Sequence, residues 1–215
     1  MIRILIADDH AIVRGGLKQL LSGQSEFIVA GEAANGLEAL KQIREQPFDV
    51  LLMDMSMPGR SGIELIKQIK SEKPKLAILV LSMHKEEQYA VRALKAGALG
   101  YLTKESAPDQ LVAAIRKVAS GGAFISSGVA ERLALELGGN HDAALHTQLS
   151  DREYQIFRMI VSGTAIGNIA NELSLSIKTV STHKTRILQK MRMTSSAELI
   201  HYAIRHQLVE LPNES

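Results

Sequence analysis

There is no cysteine in this 215-residue chain, so neither a disulfide framework nor a thiolate metal site is available to it. No stretch approaches the ~20 unbroken apolar residues of a membrane span. The opening residues, MIRILIADDH, meet two acids too early to form a secretory signal. The expectation is a cytoplasmic protein with no membrane contact. An excess of one charge is also missing: a formal net charge of +2 is too small to imply nucleic acid by itself, so the distribution of charge must carry that argument. What is present is an apolar fraction of 46%, enough to bury a proper core. The length suits one domain or two at roughly 100–200 residues each.

Two periods alternate through the first 120 residues. IRILIA (2–7), FIVAGEA (27–33), FDVLLMD (48–54), LAILVLS (76–82) and ALGYLT (98–103) are short runs rich in Ile, Val and Leu, the composition of strands buried on both faces. Between them apolar residues recur at helical spacing: Ile12, Leu17, Leu20 and Leu21; Leu37, Leu40 and Ile43; Ile63, Leu65, Ile66 and Ile69; Val91 and Leu94 before a stop at Gly97; Leu111, Val112 and Ile115. Five strand–helix pairs predict an α/β fold with a doubly wound parallel sheet.

The pattern then changes. Residues 123–148 read as a linker holding a short helix at 129–137, and its second part, GGNHDAALHTQ, is rich in turn formers. No strand-like run follows. Helices are expected at 150–162, 165–173, 177–191 and 196–206, with Ser150 and Glu153, and Ser195 and Glu198, spaced as capping boxes, and Ser176 as a third cap. The domains are therefore drawn at 1–122 and 149–211.

Why should the buried run LLMD finish on a carboxylate? In an open parallel sheet the functional crevice lies outside the carboxyl ends of the strands. Asp8 and Asp9 end the first run, Asp54 the third and Ser82 the fourth, while Lys104 follows the fifth, so all five side chains can converge on one rim. An Asp-Asp pair alone is more often a helix cap or turn, and a lone lysine a solvated surface residue. Together, three mutually repelling carboxylates suit a hard divalent cation such as Mg²⁺. A phosphoryl group on Asp54 would share its charge with that cation and with Lys104. His10 and His84 lie near the same rim, and the sequence assigns them no role.

Through ILIADDH, LLMDMSMPGRSGIEL, ILVLSMH and AGALGYLTKES, residues 1–120 resemble the receiver domain of two-component response regulators. The resemblance implies a flavodoxin-like sheet in the order 2-1-3-4-5. It also implies that Asp54 accepts phosphate from a sensor histidine kinase, that Asp8, Asp9, Asp54 and the Ser56 carbonyl hold Mg²⁺, and that Lys104 pairs with the phosphoryl group. Ser82 and Tyr101 would form a switch in which Ser82 is drawn to the phosphoryl group and Tyr101 turns inward behind it. Glu105 stands where many receivers have proline, and Ser61 where aspartate is frequent.

In the second half, Ile166, Ile169, Ala170 and Leu173 give one inward face, then comes the turn Ser174–Leu175–Ser176, then a second face of Val180, Ile187, Leu188 and Met191. Two amphipathic helices across a short turn are the layout of a helix-turn-helix. Lys178, Lys184, Arg186, Lys190 and Arg192 face no acid between 178 and 192, which makes double-stranded DNA the natural partner. Lys178, Thr179, Ser181, Thr182, Lys184, Thr185, Arg186 and Gln189 are the candidate contacts. Through LSDREYQIFRMIVSG and IANELSLSIKTVSTHKTRILQKM, residues 150–211 resemble the LuxR-type output domain of the NarL/FixJ branch. That resemblance implies a homodimer on promoter DNA when phosphorylated, with Leu199, Ile200, Ala203 and Ile204 at the dimer contact and RNA polymerase as a further partner. Ser181 stands where lysine is frequent, and Gly167–Asn168 where a Lys-Glu pair is frequent.

An aspartate-nucleophile phosphohydrolase would want a second aspartate two residues after Asp54, where Ser56 stands. A receiver acting only through protein contacts would not need residues 150–211. The expected function is a non-enzymatic, phosphorylation-controlled transcription regulator. Its rival is a DNA-binding regulator whose receiver answers to a ligand or a protein partner.

Overall fold

The computed structural model describes residues 1–57, 62–83, 87–137, 144–206 and 208. Ser61, His84 and most of the expected 138–148 linker lie outside them. The chain divides into two compact units, 1–139 and 140–215.

In the first unit the five apolar runs become β1 (Ile2–Ala7), β2 (Phe27–Ala33), β3 (Val50–Asp54), β4 (Ala77–Ser82) and β5 (Gly100–Thr103). All pair in parallel, in the order β2-β1-β3-β4-β5. β3 and β4 are buried at every residue, but β2 is half-exposed because it is an edge strand, so the expectation of two buried faces fails there. The helices are α1 (Ala11–Ser22), α2 (Gly36–Glu45), α3 (Gly62–Glu72), α4 (Glu87–Lys95) and α5 (Pro108–Ala119). Alternation along the strands splits the core between the two sheet faces. Leu5, Leu51, Met53, Ile78 and Val80 pack against Leu40, Ile66 and Val91, while Ile4, Ile6, Leu52, Leu79 and Leu81 pack against Leu21, Leu111 and Ile115. Gly97 stops α4 in a left-handed conformation, φ 111°, which glycine adopts without strain.

The start of the expected linker is not loose. Phe124 lies alongside β5: its amide donates to the Leu99 carbonyl at 2.9 Å, and its carbonyl accepts from the Tyr101 amide at 3.2 Å. A Cβ on Gly100 would stand 3.0 Å from the Phe124 carbonyl oxygen and 2.7 Å from Leu79, so only glycine permits this approach. From there α6 (Ser127–Leu137) packs on α4, with Val129 buried and Leu133 partly buried in the receiver core.

The second unit opens with a 3₁₀ turn, Leu145–Gln148, whose buried His146 meets the Tyr202 hydroxyl at 2.7 Å through Nδ1. Four helices follow: α7 (Asp151–Val161), α8 (Ile166–Glu172), α9 (Ile177–Lys190) and α10 (Ser196–Arg205). Ser150 and Glu153 form the full capping box, while Ser176 and Ser195 accept from the amides of Thr179 and Glu198. The unit's core gathers Tyr154, Phe157, Ile169, Val180, Ile187, Met191, Leu199 and Ala203, all at most 0% exposed. Between α8 and α9, Ser174 takes φ 53°, a left-handed conformation unusual for a residue with a Cβ.

Candidate functional site

The sheet brings Asp8, Asp9, Asp54, Ser82 and Lys104 to one rim. Asp8 follows β1, and its amide bonds to the Ala33 carbonyl at 3.1 Å; the Lys104 amide bonds to the Ser82 carbonyl at 2.7 Å. The ladder itself therefore sets the spacing of these side chains. Lys104 Nζ lies 2.7 Å from Asp8 Oδ2 and 2.9 Å from Asp54 Oδ2. Asp8 and Asp54 are almost fully buried, while Asp9 is exposed.

Burial raises Asp54 above its ordinary carboxylate pKa, against the opposing pull of Lys104. Burial also works against the Lys104 ammonium, but its bonds to Asp8 and Asp54 outweigh this and leave its pKa raised. Lys104 is thus held charged. Three carboxylates against one ammonium leave two negative charges uncompensated, a donor set of oxygens that fits a hard cation.

Ser56 follows Asp54 in an exposed position, and its amide donates to Asp54 Oδ1 at 3.3 Å. Ser82 is buried at the end of β4. Tyr101 departs from the expected resting position. Its ring is already inward, 8% exposed, with its hydroxyl hydrogen-bonded to Ser82 and its pKa pushed up to about 12, mainly by burial.

Two residues at the rim went unrecognised in the sequence. Arg14 donates from Nη1 to the Asp8 carbonyl at 2.7 Å and holds the end of β1; a lone arginine on a helix gives no signal of this. His10, to which the sequence assigns no role, turns its Nδ1 to Asp9 Oδ1 at 3.0 Å and to Asp8 Oδ1 at 3.3 Å.

The second candidate surface is α9. Lys178, Ser181, Thr182, Thr185, Arg186 and Gln189 are exposed, while Thr179 and Lys184 are half-exposed. Thr182 and Thr185 donate their hydroxyls to the Lys178 and Ser181 carbonyls at 2.9 and 3.1 Å. In that rotamer they are acceptors only, and phosphate oxygens require donors. Lys190, one of the five cations in the basic run, points the other way: its ammonium sits 2.6 Å from Glu153 Oε2. Ile177, at 61% exposed, was overlooked. An exposed aliphatic residue at the head of such a helix is the type that meets a thymine methyl.

The α10 expectation needs a correction. Leu199 and Ala203 are 0% exposed. They sit one turn apart on the stripe that faces the unit's own core and have no surface left for a second chain. Ile200 is half-buried and Ile204 is 37% exposed, so the outward stripe keeps only these two.

Residues 4–116 match the family model for the response regulator receiver domain, and residues 147–203 that for bacterial regulatory proteins of the luxR family. The chain is 39% identical over 209 residues to the response regulator UvrY of Escherichia coli K12, covering 97% of this chain and 96% of that protein. It is 38% identical over 212 residues to the response regulator GacA of Pseudomonas aeruginosa, covering 98% and 99%. Among solved structures, RcsB of Salmonella enterica serovar Typhimurium, bound to promoter rprA in the presence of the phosphomimetic BeF3−, is similar with a TM-score of 0.65 at 29% identity, covering 94% of this chain and 97% of that one.

Proposed function

Since the chain belongs to the two-component response regulators of the LuxR-type, NarL/FixJ branch, DNA-binding regulators of transcription, we propose that it is switched by phosphoryl transfer from a sensor histidine kinase to Asp54. One observation carries this reading. Asp54 ends the central strand with Oδ2 2.9 Å from Lys104 Nζ, whose side chain is 9% exposed, on the rim shared with Asp8 and Asp9.

A carboxylate oxygen of Asp54 attacks phosphorus; a P–O bond forms as the P–N bond to the donor imidazole breaks, and the departing nitrogen takes up a proton. Asp8, Asp9, Asp54 and the Ser56 carbonyl would hold Mg²⁺, which when bound supplies positive charge opposite the phosphoryl oxygens. Lys104 exchanges part of its hold on Asp8 and Asp54 for the phosphoryl group. Because Tyr101 is already inward, the change left to phosphorylation is at Ser82, whose hydroxyl moves its bond from the Tyr101 phenol to a phosphoryl oxygen. That contact exists only in the modified state and so biases a two-state equilibrium. Slow hydrolysis of the acyl phosphate is the one reaction ascribed to the chain itself.

The modified form is a homodimer on promoter DNA, with two α9 helices at half-sites roughly 34 Å apart and Ile200 and Ile204 at the contact. The RcsB structure with promoter DNA and a phosphomimetic supports the DNA binding, and one with two RcsB dimers bound to two parallel DNAs supports the dimer. RNA polymerase is the partner that reads the outcome. Among the described residues no helix is long and apolar enough to cross a membrane, and action in the cytoplasm follows from these partners.

The test compares wild type with Asp54→Ala after incubation with Mg²⁺ and a small acyl-phosphate donor, by intact mass and sedimentation. A phosphate-sized gain absent from the mutant, with a monomer-to-dimer shift, is expected. No gain from either the donor or a kinase would move control to a ligand or a protein partner.

A further inference from the structure

Four residues, not three, turn ligand atoms toward one point at the rim. The carboxylate oxygens of Asp8, Asp9 and Asp54 and a ring nitrogen of His10 all lie within 4.8 Å of one another. Their contacts fall into two sets. The Oδ2 atoms of Asp8 and Asp54 take Lys104 on the inner side, and the Oδ1 atoms of Asp8 and Asp9 take His10 Nδ1 on the outer side. The placement of His10 is fixed by the backbone. It occupies the residue before α1, where its amide donates to Asp8 Oδ1 at 2.8 Å and its ring makes no helix cap.

Imidazole changes what such a site selects. Mg²⁺ prefers an all-oxygen shell, whereas nitrogen donors favour first-row transition ions in the order Mn²⁺ below Ni²⁺. His10 is the one nitrogen donor among the four grouped residues. We propose that His10 is a fourth, nitrogen ligand of the receiver's cation site and turns its preference from Mg²⁺ toward transition metals. Phosphorylation of Asp54 then becomes responsive to which divalent ion occupies the site. The proposal rests on the reading of Asp8, Asp9 and Asp54 as that site.

The full chain, His10→Ala and Asp9→Asn would each be titrated with Mg²⁺ and with Ni²⁺ by calorimetry, and pulsed electron paramagnetic resonance would be recorded on Mn²⁺-loaded samples. His10 is 65% exposed in its side chain, so its removal leaves the fold intact. Expected are a nitrogen coupling on bound Mn²⁺ that vanishes in His10→Ala, a Ni²⁺ affinity lowered roughly tenfold or more, about 1.4 kcal/mol, and a Mg²⁺ affinity unchanged within about twofold. Asp9→Asn weakens all three ions. If Asp9→Asn weakens binding but His10→Ala alters neither the coupling nor the Ni²⁺ affinity, the proposal is overturned and the oxygen site stands. If wild type binds no ion, both fall.

Discussion

Lys190 offers a sharp test because its charge counts toward DNA binding in the sequence and against it in the structure. Its ammonium is 2.6 Å from Glu153, whose side chain is only 6% exposed, while the lysine side chain is 42% exposed. Both Lys190 and Lys178 are exposed, but the Lys190 ammonium is engaged by Glu153 of α7. Each phosphate neutralised steepens the fall of log K with log salt by about 0.9. Lys178→Ala should therefore flatten the slope by about 0.9 per protomer, so that between about 50 and 200 mM salt wild type loses roughly 3.5-fold more affinity than the variant. Lys190→Ala should leave the slope alone and act on stability instead. The cost falls between that of an exposed pair and a fully buried one, about 1–2 kcal/mol, or roughly 5–15 °C in the melting of a domain this small. Burial works to raise the Glu153 pKa, but its bonds to Lys190 and Ser150 outweigh this and hold it below the ordinary range. The pair's contribution is thus present above the ordinary carboxylate pKa and lost as pH falls through the lowered one, so the penalty should fade below about pH 4. The assay is fluorescence anisotropy on a labelled non-specific duplex across a salt series, with thermal melts of the same samples. A Lys190→Ala slope as flat as that of Lys178→Ala, with no loss of melting temperature, would refute the reasoning.

Other outcomes follow from the same geometry. Asp54 has a raised pKa, so its stability contribution declines as pH rises through the window above the ordinary carboxylate value; Asp54→Asn should melt higher than wild type at pH 7, and the gap should close in acid. Ser174→Gly should stabilise the output domain by up to about 1 kcal/mol in denaturant melts, because Ser174 holds φ 53°. Leu199→Ala, at a fully buried position, should cost about 2–5 kcal/mol, whereas Ile204→Glu should keep the melting temperature and weaken phosphorylation-dependent dimerisation seen by sedimentation.

Much of this architecture was legible before any coordinates. The apolar runs at 2–7 and 27–33 coincide with β1 and β2, and the acids at strand ends converge as the topology of a parallel sheet requires. Periodicity reports which residues are apolar but not which of two adjacent helical stripes meets the core, so Leu199 and Ile200 looked alike until packing separated them. A charge run likewise counts cations without direction, and Lys190 finds its partner 37 residues away. The inward Tyr101 and the bond of Phe124 to β5 depend on long-range pairings that a few residues of sequence do not encode.

The Phe124 bridge also determines what can be exchanged between proteins of this design. A receiver cut at residue 122 would lose the segment that covers the outer edge of β5, the apolar support of Val129 and Leu133 on the α4 side, and the partner of the Tyr101 amide. An open edge of this kind invites pairing with other chains. The transferable module is thus residues 1–137, and a chimera that joins a foreign output domain directly after α5 should aggregate where one joined after α6 stays dispersed. In such a module the first stretch of connecting chain belongs to the sheet that senses, and new outputs can be attached only beyond it.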